Sequence, residues 1–284
     1  MNILVTGGCG YIGAMLVPKL LADGHKVTVV DTQWFGHGYL PTDNENLKII
    51  KGDVRDTPMD GFDAVIWLSS ISNNTMYGVN FDLTHEVNTY LDVTEGKFIY
   101  ASSVAVLDPT SDYAKDKLAC EQQLAGTGAI IVRAASVVGY SPNMRFDTTI
   151  NKMTHDAYKT GVITVNGGDQ ERTHVHISDL CDFYRLVLKN GVLGDTYTAW
   201  AMGQKVKNSA QTVAENVRMH GKDVRVEVQP RTDNRTYSVT DGKSLDWVPK
   251  KAVWDGVRDI IARFDSGMWK DTSDEQLWRI NRGI

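Results

Sequence analysis

The chain has 284 residues and a mass of 31.5 kDa, 42% of them hydrophobic, enough to bury one large core or two closely joined lobes. Lys and Arg number 30 against 35 Asp and Glu, a net charge of -5, and no stretch gathers basic with aromatic residues, so nucleic acid is not an expected partner. There is no run of about 18 apolar residues, no charged and then apolar leader, and only three cysteines without CxxC spacing, which together exclude a membrane span and point to a cytoplasmic protein.

From residue 1 to about 135, short Val/Ile-rich runs alternate with helical patterns: NILVT, KVTVVD, LKIIKGD, DAVIWLSS, KFIYASS and AIIVR. Strands covered on both faces by crossover helices read as nearly continuous apolar runs, so this alternation predicts an α/β fold with a doubly wound parallel sheet. Between the first two runs, Ile12, Leu16 and Leu20 share one helical face ahead of Gly24. Ser111 or Asp112 is placed to cap a helix that continues through Leu118 and Leu124. After Gly139 the rhythm changes to a loop at 140–145, a helix near 148–159 and a strand near 162–165. A helix at 178–189 and the strand-like DVRVEV follow.

The first strand runs through Thr6-Gly7-Gly8-Cys9-Gly10-Tyr11-Ile12-Gly13 into a helix, which meets both the G-x-G-x-x-G and the G-x-x-G-x-x-G spacing. Glycines permit the tight turn, let backbone approach a pyrophosphate, and allow helix and strand to pack closely while the helix amides face the phosphates. The second strand ends on Asp31, where a carboxylate can accept hydrogen bonds from a ribose diol. A strand-end turn would also account for that acid, but the glycines upstream favour the ribose. The same carboxylate repels a 2′-phosphate, and Thr32-Gln33-Trp34-Phe35-Gly36 brings no compensating cation, so NAD is expected rather than NADP. These observations predict a Rossmann-type domain over 1–139, to which 177–195 return. A smaller mixed α/β substrate lobe is expected from 140–176 and 196–284.

Tyr113 and Lys117 stand at i and i+4, so a helix presents phenol and ammonium on one face. Such a pair is often a solvated surface pair, but this one lies just after a strand ending Ala101-Ser102-Ser103. The chain here resembles the extended short-chain dehydrogenases, particularly the nucleotide-sugar epimerase/dehydratase group. The resemblance covers nearly the whole length and rests on TGGCGYIG, Asp31, GDVRD, DAVIWLSS, EVNTY, FIYASS, YAKDK, the segments 133–139 and 170–179, and LDWVPK. It implies that Ser103 binds the reacting hydroxyl, that Tyr113 is the acid/base, and that Lys117 holds the nicotinamide ribose and tunes the phenol. At an assumed separation of about 6 Å and an effective dielectric near 20, the ammonium would favour the phenolate by ~2.8 kcal/mol.

The resemblance further implies NAD held along Gly7, Gly10, Tyr11, Ile12, Gly13, Asp31, Asp53, Val54, Leu68, Ser69, Ser70 and Asn88. It also implies a nucleotide-diphosphate sugar held by Ser103, Ser136, Arg172, Arg231 and Arg235, and a homodimer. Arginine's planar fork suits bidentate phosphate recognition. Two departures stand out: Ser136 occupies the position usually held by Asn, and Tyr113 follows Ser103 by a step of only ten positions, which curtails the loop that normally shapes the sugar pocket. After Ser103 come Val104 and Ala105, where dehydratases of the family carry an Asp-Glu pair, decarboxylases a Glu and 3,5-epimerases a Cys. What the resemblance leaves is chemistry that needs only hydride transfer and Tyr113, a C4 epimerase or a 4-keto reductase, and C4 epimerisation through a 4-keto intermediate is the expected one. The alternatives are a 4-keto-sugar reductase or a non-catalytic NAD-binding sensor or scaffold. His174, His176, Asp179 and Cys181 cluster in sequence, but the family places a structural His at the second position and uses no metal, so none is expected.

Overall fold

A computed structural model describes residues 1–58, 60–70, 96–230, 236–237, 239 and 242–279. The expected sites Asn88, Arg231 and Arg235 lie outside the described residues. No helix among those described is long and apolar enough to cross a membrane.

The first strand, β1 (Asn2–Thr6), pairs in parallel with β2 (Lys26–Asp31) on one side and with β4 (Ala64–Trp67) on the other. Adding β3 (Leu47–Lys51), β5 (Lys97–Ser103), β6 (Ile130–Ala134) and β10 (Thr196–Ala199) gives a seven-stranded parallel sheet in the order β10-β6-β5-β4-β1-β2-β3. Chain order reverses between β1 and β4. That switch point leaves a crevice beyond the carboxyl ends of the strands, directly over the glycine-rich turn.

Alternation along β1 feeds two cores. Ile3 and Val5 pack with Leu16, Val17 and Leu20 of helix α1 (Gly13–Ala22). Leu4 faces the other way, toward Trp67, Phe98, Cys120 and Leu124, the last two from helix α2 (Asp112–Leu124). Ser111 caps α2 by accepting a hydrogen bond from Ala114 N at 3.2 Å. With the helices α1 and α2 on opposite faces, the central strands β1, β4, β5 and β6 are buried on both sides, which is why their runs read as apolar.

The second lobe holds two small sheets. In one, β9 (Glu171–His176) pairs in parallel with β7 (Ser136–Val138) and antiparallel with β11 (Met202–Lys205). In the other, β8 (Val162–Asn166) pairs with β12 (Arg225–Gln229). Helices α3 (Thr149–Thr160), α5 (Val206–Arg218) and α6 (Val253–Asp265) close a separate core around Ile150, Ile163, Val213 and Val257. Helix α4 (Ile177–Asn190) returns to the large sheet, placing Phe183 and Tyr184 in its core.

Two strands depart from the boundaries expected from sequence. Residues 196–199 form the edge of the large sheet rather than part of the second lobe, and residues 136–138 join the small sheet although they precede 139. Both are too short to show a hydrophobic period. His176 caps α4, its Nδ1 accepting from Ser178 N at 3.1 Å while Nε2 meets Asp259 at 3.1 Å. Asp179 accepts from the amides of Lys250 and Lys251 at 2.8 Å each. His174 is buried, and that burial followed by the charge of Arg172 pushes its pKa down to about 4, so it stays a neutral core residue near pH 7.

Candidate active site

A cavity of about 700 Å³ lies between the carboxyl ends of the large sheet and the second lobe. Its cofactor side begins at Gly7, whose φ of 67° is open to glycine and strained for other residues. A Cβ there would come within 2.9 Å of Ser69 N, closing the passage between the glycine turn and the end of β4. At Gly13 a Cβ would lie 2.3 Å from Gly8 O, so only glycine lets α1 start against the turn. The Tyr11 phenol donates to Gly139 O at 2.7 Å and ties the turn to the second lobe.

Asp31 is held with one carboxylate oxygen on Cys9 N at 2.9 Å and the other on Gln33 N at 2.7 Å. Burial pushes its pKa above the usual carboxylate value, and these two amides oppose the rise. Asp53 caps the 3-10 turn Val54–Asp56 and pairs with Arg55 at 2.7 Å, which holds its carboxyl below the usual range. Val54, Leu68, Ser69 and Ser70 complete this wall. Thus the structure brings together Gly7, Gly10, Tyr11, Ile12, Gly13, Asp31, Asp53, Val54, Leu68, Ser69 and Ser70. A glycine cradle that a Cβ would fill, with a fixed carboxylate at the end of β2, fits a dinucleotide such as NAD.

Opposite lie Ser103, at the end of β5, and Tyr113 and Lys117 on α2. Ser103 Oγ accepts from Ala105 N at 3.2 Å, and the Ser103 side chain acts on the Tyr113 hydroxyl so as to lower its pKa. Lys117 donates to Ala101 O at 2.7 Å, with its Nζ 4.7 Å from the centre of the Tyr100 ring and 6.0 Å from that of Tyr113. Burial pushes the Lys117 pKa down to about 8. Burial also raises the Tyr113 phenol above its ordinary value, opposed by the Ser103 hydrogen bond and then by the charge of Arg145. The 6.0 Å from Lys117 is to the centre of the Tyr113 ring and not to its hydroxyl; desolvation of the phenol dominates, and Arg145 is the cation that counters it.

Several site residues escaped the sequence reading. Arg145 lines the cavity and forms a two-pronged pair with Asp147, at 2.7 and 2.6 Å. Glu121 of α2 receives Ser102 Oγ at 2.5 Å and Arg133 of β6 at 2.5 Å, locking β5, β6 and α2 together beneath the catalytic candidates. A local signal existed for Arg145, an Arg-x-Asp step before a helix, but the partners of Glu121 are brought to it only by the sheet. On the substrate side Arg172, 4% exposed, lies with its guanidinium carbon 4.6 Å from the centre of the Tyr237 ring, and Ser136 sits on the same cavity wall.

Fold and site together define a dinucleotide-binding enzyme of the extended short-chain dehydrogenase type. The chain belongs to the NAD dependent epimerase/dehydratase family, whose model matches residues 3–203, and NAD is its cofactor. It is similar to a UDP-glucose 4-epimerase of Corynebacterium glutamicum, at 24% identity over 306 residues, covering 88% of this chain and 91% of that one. It also matches UDP-glucuronic acid decarboxylase 1 of Danio rerio, at 35% identity over 98 residues, or 31% of this chain. The chain spans only 22% of the length of that relative, and 22% of its Xenopus tropicalis counterpart. Among solved structures, a dTDP-glucose 4,6-dehydratase of Streptomyces venezuelae with NAD bound has a TM-score of 0.82 at 22% identity, covering 95% of this chain and 99% of that one. A UDP-glucose 4-epimerase of Thermotoga maritima with UDP-glucose has a TM-score of 0.76 at 20% identity, covering 94% and 100%. These structures share the fold.

NADH is expected to bind more tightly than NADPH, because a desolvated carboxylate fixed by two amides repels a 2′-phosphate strongly. Separate fluorescence titrations check this. Asp31→Ala should narrow the gap, and tighter binding of NADPH to the unaltered protein would contradict the role of Asp31.

Proposed function

We propose that the protein is an NAD-dependent epimerase that inverts C4 of a nucleotide-diphosphate sugar through a 4-keto intermediate. The observation that carries this reading is a complete Ser103, Tyr113 and Lys117 set on the cavity wall, followed by Val104 and Ala105, which supply neither an acid nor a thiol. NAD, when bound, supplies a hydride acceptor and returns the hydride. Ser103 orients the C4 oxygen, and Tyr113 takes the hydroxyl proton and later gives it back. Lys117 holds the nicotinamide ribose. Arg172, with Tyr237 beneath it, takes the substrate diphosphate, and Ser136 contacts the substrate. Arg231 and Arg235, outside the described residues, belong to the same proposed diphosphate set, as Asn88 does to the cofactor set. The 4-keto sugar turns in the cavity between the two transfers. The same reading makes the protein a cytoplasmic homodimer, for which light scattering checks the oligomeric state.

The test is incubation of nucleotide hexoses with catalytic NAD in deuterated water, followed by NMR of the sugar. Epimer should form without net NADH and without deuterium at C4. Stoichiometric consumption of NADH on a 4-keto sugar would establish the reductase alternative, which uses the same three residues. Deuterium at C3 or C5 would sink the mechanism, and NAD binding without turnover of any nucleotide sugar would favour the sensor or scaffold reading.

A further inference from the structure

The far end of the described chain returns to the cofactor side of the cavity. A 3-10 turn, Glu275–Trp278, is anchored where Phe146 N donates to Leu277 O at 2.6 Å and Trp278 Nε1 donates to Thr272 O at 2.9 Å. The next residue, Arg279, has a φ of 52° and is only 5% exposed. A left-handed backbone at a buried arginine persists only where its surroundings fix it.

Those surroundings combine the segment after β2 with the loop 140–147, which is itself tied to the glycine turn. The guanidinium carbon lies 4.9 Å from the centre of the Phe35 ring, and Nη2 donates to Asn143 Oδ1 at 3.0 Å and Asn143 O at 3.3 Å. Asn143 in turn donates to Cys9 O at 2.7 Å, inside the glycine turn, and the amide of that same residue holds Asp31. Asp31, Tyr39, Arg145 and Asp147 are the charged or titratable groups that act on the guanidinium, and Arg279 lines the same cavity as Asp31. Burial and then Arg145 push its pKa down to about 10, so negative charge arriving beside it is favoured.

We propose that Arg279 is a cofactor-binding residue, its guanidinium meeting the anionic ADP-ribose half of NAD, so that cofactor retention depends on the C-terminal turn. The substrate diphosphate is the weaker candidate, because the substrate-side cation, Arg172, is carried by β9 and stacks on Tyr237, away from Phe35 and the glycine turn. This inference rests on placing the adenosine half over Asp31. Arginine suits the task, since its fork can bridge phosphate oxygens while its face stays on an aromatic ring.

Binding of NADH, ADP-ribose and UDP is measured by titration calorimetry on the full chain and on Arg279→Ala, Arg279→Lys and Asp31→Ala. Arg279→Ala should weaken NADH and ADP-ribose alike, by about tenfold or more, and leave UDP unchanged. Arg279→Lys, which keeps the charge without the fork, should recover part of the loss. Should Arg279→Ala fail to melt cooperatively, Arg279→Gln keeps much of the stem against Phe35 and the same titrations decide. If the arginine variants bind NADH and ADP-ribose as tightly as the unaltered protein while Asp31→Ala binds weakly, the proposal falls alone. If neither substitution matters, the placement of the adenosine half falls with it. A variant with a lowered melting temperature but unchanged affinity would make Arg279 a strut and overturn the proposal.

Discussion

Tyr113→Phe keeps its affinity for NADH and loses about 10²–10⁴-fold in turnover of a nucleotide sugar. The ring stays where it was, in the first turn of α2 beneath the Ser111 cap, because removing one oxygen leaves the packing and the helix start intact. What disappears is the phenol whose ionised form Ser103 and Arg145 favour. Under the proposed chemistry the phenolate is the working base, and burial holds the phenol above its ordinary value, so turnover rises with pH toward that value in the loaded enzyme. Ser103 and Arg145 act in the opposite direction. Arg145→Met should therefore shift the acid limb of the kcat profile upward, whereas Arg145→Lys should shift it less. Steady-state kinetics across pH, alongside NADH titrations, check both points. Retention of more than about a tenth of the turnover in Tyr113→Phe would rule out the phenol as acid/base.

The parts of this site that were legible in the sequence are those whose chemistry is set by short spacing. Gly7, Gly10 and Gly13 are dictated by one turn, Asp31 by the end of the next strand, and Tyr113 with Lys117 by one turn of helix. Strands β1, β4, β5 and β6 could be read because burial on both faces writes a continuous apolar run, and β2 and β3 by their Val and Ile content. Strands β7 and β10 could not, since three or four residues with Ser136, Thr196 and Thr198 among them carry no usable period. Arg133 and Glu121 meet only after β5 and β6 pair and α2 packs across them, so their sequence neighbourhoods say nothing of the contact. Arg279 is the extreme case. The five residues after Asp31 hold no cation, while an arginine from the opposite end of the chain folds back into the same wall.

Arg172→Ala is expected to weaken binding of a nucleoside diphosphate by about 1.5–3 kcal/mol, or about 10- to 150-fold, with NADH affinity unchanged. Position explains the size of the effect. Arg172 is the second residue of β9, its backbone fixed by pairing with Gln204 of β11. The side chain is nearly fully buried, stacked on Tyr237, with Nη1 donating to Glu171 O at 2.9 Å. A guanidinium held this firmly has little rotamer freedom left to lose when an anion arrives, and the low local dielectric makes a charge-assisted hydrogen bond stronger than on an open surface. Loss of the side chain also leaves the face of Tyr237 uncovered, so Tyr237→Leu should reproduce a smaller part of the defect by freeing the arginine. Calorimetric titration with UDP and dTDP separates this from any cofactor effect, because Arg172 stands on the second lobe while Asp31 and the glycine turn stand on the large sheet. Equal affinity of the unaltered protein and Arg172→Ala for both diphosphates would remove Arg172 from the substrate site, and a parallel loss of NADH affinity would show that the substitution disturbs the cavity as a whole.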